Sequence, residues 1–354
     1  MATIDTVWRG RDTSPGEIEE ALRDALAQVH RENSGYVPAR VLNLVTIVDR
    51  EYGGEIANRL RGVGRYHPSR TIVCSVQPGR QTLDAVATIA APSEVGGGQI
   101  GLLRETIIVE CGDKHLPHLD RIVDPLVVPD LHTCVWAPHG HEQGVDSLLH
   151  LAQIVLLDSV DDPEPSSAVR RARRLLHDVY VVDLAWLRST PWRERVAATF
   201  DPPVVRPELT TISSVTIRHH PESATAALML VGWMASRLGW ATSPLVHRGG
   251  TLEGSAHGRR QDVHVRLEPD AALQVRGLSG LTLETAAGKS YALDRGPGGL
   301  HARFRNRHGQ QRDWTILGSS RGEAGILGEG IRQALLRDPT YGPALAAAEG
   351  LLPA

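Results

Sequence analysis

Near-continuous runs of Val, Ile and Leu, separated by helical segments, constrain the first two hundred residues more than any other feature. Runs at 41–48, 71–76, 83–90, 106–110, 133–136, 154–157 and 180–184 read as strands. Several carry no polar alternation, the pattern of strands covered on both faces. Helical segments fall between them at 55–63, 116–127 and 165–178, and Pro117 and Pro125 limit the second to a few turns. A leading helix is expected at 15–30. Ser14 suits its N-cap, Pro15 its first turn, and Glu17, Glu19 and Glu20 its positive end, while Ile18, Leu22, Leu26 and Val29 form one apolar stripe. This alternation predicts an α/β domain with a largely parallel sheet and helices on both faces. Around 77–101 the short strands and the Gly96-Gly97-Gly98 turn predict an antiparallel hairpin at its edge.

A further helix is expected at 186–200. It ends at Asp201-Pro202-Pro203, with Pro207 close behind, a cluster that cannot continue a helix and stiffens a link. This places the domain boundary, giving an N-terminal α/β domain at 1–203 and a C-terminal domain at 204–354. In the second domain a strand at 211–217 leads to a helix at 221–238 with Gly239 as its left-handed cap. Short strands follow at 263–267, 273–276, 281–285, 291–293, 302–304 and 313–317, separated by turn signals such as Gly296-Pro297-Gly298-Gly299. Helices at 321–336 and 341–350 close an α+β domain built on an antiparallel meander.

Composition narrows the function classes. The chain has 354 residues, long enough for two cores, and its net charge of −3 gives no global field toward nucleic acid or an anionic membrane. Lysine occurs only at Lys114 and Lys289. Three cysteines exclude a disulfide framework and fit a reducing compartment. The most apolar helical run, 224–235, is too short to span a bilayer, and residues 1–12 show no apolar stretch behind a basic segment. A cytoplasmic protein is expected.

Motifs that would carry chemistry are few. Ala286-Ala287-Gly288-Lys289-Ser290 ends like a phosphate-binding loop, but Leu283 stands where that loop needs glycine, and Lys289 lies between two strands. The turn Asp49-Arg50-Glu51-Tyr52-Gly53-Gly54-Glu55 has no dinucleotide fingerprint, and its carboxylates would repel a pyrophosphate. No catalytic residue and no cofactor are assigned. The densest polar cluster holds His132, Cys134, His139 and His141, weak candidates for a metal site because their spacing fits no standard zinc pattern; the alternative is a half-buried strand and a solvated loop. Cys74, Cys111 and Cys134 read as core. Arg170, Arg171, Arg173 and Arg174 spread around their helix and read as a solvated face. Tyr66-His67-Pro68-Ser69-Arg70 enters the second strand, where His67 and Arg70 tie the loop to carboxylates, or Ser69 and Arg70 bind a small anion. Trp136, Trp186 and Trp192 sit at element ends beside Pro138, Arg188 and Arg193, as partner-binding anchors do.

At these motifs the chain resembles the glucose-6-phosphate dehydrogenase assembly protein family, OpcA. The likeness runs through Arg40-Val41-Leu42-Asn43-Leu44, His67-Pro68-Ser69-Arg70, Val128-Pro129-Asp130-Leu131 with Trp136 and Pro138, Val182-Asp183-Leu184-Ala185-Trp186 with Arg188 and Trp192, and Val231-Gly232-Trp233-Met234. A weaker echo is Leu336-Arg337-Asp338-Pro339. Here His132 stands where the family tends to have proline, and Ala137 where it tends to have a second tryptophan. The resemblance implies a non-catalytic protein that binds glucose-6-phosphate dehydrogenase, favours its active oligomer and supports the oxidative pentose phosphate pathway. Partner contact is then expected among His67, Pro68, Ser69, Arg70, Pro129, Asp130, Trp136, Trp186, Arg188 and Trp192. The competing expectation is an α/β sensor or enzyme binding a sugar phosphate or nucleotide through Ser69 and Arg70.

Overall fold

The computed structural model describes residues 3–32, 35–38, 40–63, 68–92, 101–317, 322–334 and 336–353. The chain divides into two compact units. One comprises Met1–Leu157, Asp178–Val182 and Glu323–Leu336, the other Asp158–His177, Asp183–Gly322 and Arg337–Ala354. The Asp201-Pro202-Pro203 cluster lies within the second.

The first unit carries β1 (Thr3–Gly10), α1 (Pro15–Glu32), β2 (Tyr36–Pro38), β3 (Leu42–Asp49), α2 (Gly53–Val63), β4 (Ser69–Val76), β5 (Asp84–Pro92), β6 (Gly101–Cys111), α3 (Asp120–Val123), β7 (Thr133–Trp136), α4 (Glu142–Ser147), β8 (Ile154–Leu157) and β9 (Tyr180–Asp183). Its sheet runs β1-β5-β6-β4-β3-β7-β8-β9, with β2 beside β6. Strands β6, β4, β3, β7 and β8 are mutually parallel. The expected hairpin edge is present: β5 joins β6 antiparallel and β1 extends it. Its glycine turn, 96–98, lies outside the described residues. Strand β1 is not signalled by the sequence, because its alternating Thr-Ile-Asp-Thr-Val-Trp-Arg-Gly lacks an apolar run. The centre explains the patterning. Val45 pairs with Ile72 on one side and Val135 on the other, and β3, β4 and β7 are buried along almost their whole length. The segment at 116–127 is not one helix. Pro117 and Pro125 lack an N–H, so it breaks into a 3-10 turn at Asp113–His118, the short α3, and another 3-10 turn at Asp124–Leu126.

Later elements are α5 (Pro165–Asp178), α6 (Leu184–Arg188), α7 (Thr190–Phe200), β10 (Ile212–His219), α8 (Ala224–Leu238), β11 (Ala241–Thr242), β12 (Val246–Arg248), β13 (Thr251–His257), β14 (Asp262–Pro269), β15 (Leu278–Thr285), β16 (Ser290–Gly296), β17 (Gly299–Arg305), β18 (Gln311–Leu317), α9 (Gly322–Ala334) and α10 (Tyr341–Glu349). Most of α9 counts with the first unit. The second sheet runs β11-β13-β14-β10-β15-β16-β17-β18, with β12 beside β13. Its pairs are antiparallel except β10 with β14. The strand expected at 273–276 is instead a turn, held where Leu273 N–H donates to the Asp270 carbonyl and Ala272 N–H to the Asp270 carboxylate. The helix expected at 186–200 is two helices, broken at Ser189, because Pro191 opens a new first turn. Helix α8 ends at Gly239 with φ of 69°. It packs on α10 at Gly232, where a Cβ would lie 2.2 Å from the Ala344 carbonyl oxygen, so only glycine permits that approach. Among the described residues, no helix is long and apolar enough to cross a membrane.

Candidate functional site

The motifs at the amino edge of the first sheet converge on one buried carboxylate. Arg70, on β4, stands directly opposite Glu105 on β6. Its Nε donates to Glu105 Oε2 at 2.7 Å, and its Nη1 to the Leu126 carbonyl at 3.0 Å. Arg40 Nε reaches Glu105 Oε1 from the other side at 2.8 Å. The Glu105 side chain is 1% exposed and that of Arg70 8%, so two guanidiniums offset a carboxylate that the strand pairing forces inside. Beside them Asn43 is 0% exposed. Its Nδ2 donates to the carbonyls of Val128 and Leu131 and to Thr133 Oγ1, while its Oδ1 accepts from the Val128 N–H. Val41 N–H donates to the Pro68 carbonyl. The network fixes a turn whose tip, Pro129-Asp130, is exposed, with Val41 half exposed and His132 exposed.

The carboxyl edge is where a doubly wound sheet leaves a ligand crevice, at the point where strand order reverses. Here that point lies between β3 and β7. Side chains that follow β3 and β7 meet there. Tyr52 stacks on His139 with ring centroids 4.3 Å apart, and His141 Nε2 lies 3.1 Å from Asp49 Oδ1. The neighbouring Glu51 carboxylate pushes the Tyr52 phenol up.

In the second unit, the segment at 183–193 meets the segment at 338–341. Asp183 is wholly buried and caps α6. Its Oδ1 accepts from the N–H groups of Ser159 and Ala185, and its Oδ2 from the Tyr341 hydroxyl at 3.0 Å. Burial, reinforced by the nearby Asp158, raises its carboxyl to about 6. Asp158 in turn holds Arg188 at 2.6 Å. Trp186 Nε1 donates to Asp338 Oδ2 at 2.7 Å, and the Arg193 guanidinium lies 3.6 Å over the Trp186 ring. Burial lowers Arg193 to about 10. Burial also pushes the Asp338 carboxyl up, but bonds from Thr340 and Trp186 and the Arg193 charge outweigh it and hold it low.

The candidate residues therefore sort by place. Pro129 and Asp130 are exposed, Pro68 and Arg188 half-buried, and Ser69 and Arg70 buried; His67 lies outside the described residues. Ser69 Oγ sits 3.1 Å from Thr71 Oγ1, and Arg70 is held by Glu105 and Leu126, so neither is an open anion donor. Trp136, Trp186 and Trp192 are 1%, 2% and 3% exposed and serve as core. The four metal candidates are dispersed: His132 precedes β7, Cys134 is buried within it, and His139 and His141 follow it. Among the described residues no group of three or more His, Cys, Asp or Glu is placed to hold a metal ion. The thiols are deep: burial pushes Cys111 to about 11 and raises Cys74 and Cys134 strongly. Lys289 follows a tight turn and pairs with Glu208. Glu105 was missed by sequence reading; it stands beside Arg104 just ahead of the apolar Ile107-Ile108-Val109, and nothing in that spacing marks it as buried.

Residues 61–174 match the glucose-6-phosphate dehydrogenase subunit N-terminal domain, and residues 179–345 its C-terminal domain. The chain is 26% identical over 218 residues to a Synechococcus elongatus protein named OxPP cycle protein OpcA, covering 60% of this chain and 48% of the relative. A Synechocystis protein of the same name is 26% identical over 245 residues, covering 68% and 51%. The chain thus spans about half the length of the curated relatives it matches. Among solved structures, Bacillus subtilis yvaA, named for an oxidoreductase, aligns at a TM-score of 0.48 and 11% identity over 87% of this chain and 95% of the other.

Proposed function

The chain belongs to the OpcA family of glucose-6-phosphate dehydrogenase subunit proteins, and from that premise we propose that it is a non-catalytic partner of the dehydrogenase. On this reading it binds glucose-6-phosphate dehydrogenase, favours its active oligomer and thereby supports the oxidative pentose phosphate pathway. The observation that carries the reading is the match of both family domains, in order, across 61–345. The turn after β3 supports it, since it has no dinucleotide fingerprint and its Asp49 and Glu51 carboxylates would repel a pyrophosphate. The exposed Pro129-Asp130 turn, held by Asn43, is the part of the amino-edge network offered to a partner.

Such a protein acts by linkage. It shifts the dehydrogenase only as far as it prefers one state, and a tenfold preference is worth about 1.4 kcal/mol. The test is titration of the purified chain into the dehydrogenase of the same cell, following KM, turnover and sedimentation mass. We expect a saturable rise in activity together with a shift toward the larger species, and a several-fold weaker effect for Asp130→Arg. If neither kinetics nor mass responds at saturation, the reading is wrong.

A further inference from the structure

The sheet-rich second unit ends in an open edge. Strand β18 is the last of its sheet, and among the described residues no strand pairs with its outer side. Its inner side is fully registered against β17, from Gly299 opposite Leu317 to Arg305 opposite Gln311. The hairpin closes where Asn306 N–H donates to the Gln310 carbonyl. In an antiparallel ladder bonded and non-bonded pairs alternate. Counting from 306–310, residues 312, 314 and 316 bond inward to β17, whereas 311, 313 and 315 turn their N–H and C=O outward. Residues 311–315 are all exposed, with no proline to blunt the edge.

The hairpin that carries this edge is basic. Residues 299–317 carry Arg303, Arg305, Arg307 and Arg312 against one carboxylate, Asp313, in a chain whose net charge is −3. Asp313 is already engaged by Arg303 at 3.5 Å and by Gln311. Arg305 and Arg312 have no carboxylate partner among the described residues, and the Arg312 guanidinium lies 5.9 Å over the Trp314 ring. Trp314 is 40% exposed and borders a shallow apolar slot lined by Val196, Phe200, Tyr291, Leu293 and Ala302.

We propose that β18 accepts an extended acidic segment of a partner protein as an added strand. The outward N–H and C=O groups of 311, 313 and 315 supply the ladder. Arg312 and Trp314, two residues apart on one face of β18, take a carboxylate and an apolar side chain two positions apart on the added strand, and Arg305, on the opposite face at the hairpin end, offers a second carboxylate contact. Charge complementarity fixes the sign of the partner. The unpaired backbone favours a polypeptide over a nucleic acid, which satisfies no strand edge. This inference stands apart from the dehydrogenase reading and uses none of the Pro129-Asp130 turn.

The test uses the full chain and fluorescein-labelled peptides of about nine residues, an ordinary strand length. One, the Glu-Val peptide, repeats Glu-Thr-Val-Thr, so that Glu and Val fall on one face two residues apart; another, the Lys-Val peptide, repeats Lys-Thr-Val-Thr, and a labelled oligothymidine is the third probe. The Glu-Val peptide is expected to bind saturably by anisotropy, at least tenfold tighter than the Lys-Val peptide. Thr315→Pro deletes an outward N–H without removing a backbone bond to β17, and also loses the Thr315 Oγ1–His301 Nδ1 contact at 3.1 Å; it is expected to lower that affinity at least tenfold, while Thr315→Val, which loses the same contact, binds as the parent does. Arg305→Glu with Arg312→Glu, both on exposed side chains, is expected to abolish it, and stands as the check if the proline variant folds poorly. The proposal is overturned if the Glu-Val peptide shows no saturable binding, if a folded Thr315→Pro variant binds it as well as the parent does, or if oligothymidine binds more tightly than either peptide.

Discussion

The two units bury a carboxylate in opposite ways. Glu105 in the first sits between the guanidiniums of Arg70 and Arg40. Asp183 in the second is met by two backbone N–H groups and the Tyr341 hydroxyl, with a second carboxylate, Asp158, nearby. The first arrangement cancels charge with charge. The second surrounds it with neutral dipoles and leaves the desolvation cost only partly offset. A network of the first kind collapses when one member is removed. One of the second kind tolerates a neutral isostere but responds to protons.

The largest effect expected from this contrast is at Glu105. Glu105→Ala leaves Arg70 buried opposite no carboxylate, and should destabilise the protein by about 3–5 kcal/mol in denaturant titration. A loss below about 1 kcal/mol, the range of an exposed pair, would show that water reaches Arg70 and that the two networks do not differ in kind.

Asp183→Asn should behave differently. The folded carboxyl is raised to about 6, above the unfolded value near 3.9, so the folded state holds the proton more tightly. The group's contribution is therefore fully present below about pH 4 and lost as pH rises through about 6, a fall of about 3 kcal/mol across the window. Asparagine removes the charge and keeps an acceptor for Ala185. The variant should match the parent near pH 4, exceed it at pH 8, and lack this component of the slope between. Urea midpoints at three pH values decide it: parallel parent and variant curves would mean that Asp183 is not the titrating group.

How much of this was readable beforehand follows from how each signal is written. Central strands announce themselves because both faces are covered: Thr133–Trp136 and Ile154–Leu157 have the extents their apolar runs indicate. Strands outside the sheet centre do not. Thr3–Gly10, an edge strand, and Thr251–His257, which lies between β14 and the short β11 and β12, alternate weakly and take strand form from their neighbours. The motifs that carry the family resemblance were visible, but their partners were not. Nothing near Trp186 in sequence points to Asp338, and a tryptophan beside arginine reads equally as an exposed anchor or, as at Trp186 under Arg193, as a stacked core residue. The amino-edge network hid for the same reason: Asn43 and Val128 are 85 residues apart, and parallel pairing alone brings them together.

Tyr341→Phe sharpens the contrast with the smallest change. The hydroxyl donates to Asp183 Oδ2 and favours the ionised carboxyl, so its loss pushes that carboxyl further up. The destabilisation should depend on pH in a defined sense. Near pH 4 Asp183 is protonated in the parent as well, and the variant should lose only a neutral contact, about 0.5–1 kcal/mol. At pH 8 the parent holds an ion bonded by Tyr341, and the loss should reach about 1.5–3 kcal/mol, the worth of a hydrogen bond to a charged group. The double variant with Asp183→Asn should erase that pH dependence, because the charge that the hydroxyl serves is gone. An equal loss at both pH values in the single variant would mean that the hydroxyl does not serve the charge on Asp183, and the distinction between charge-paired and dipole-solvated carboxylates would then rest on Asp183→Asn alone.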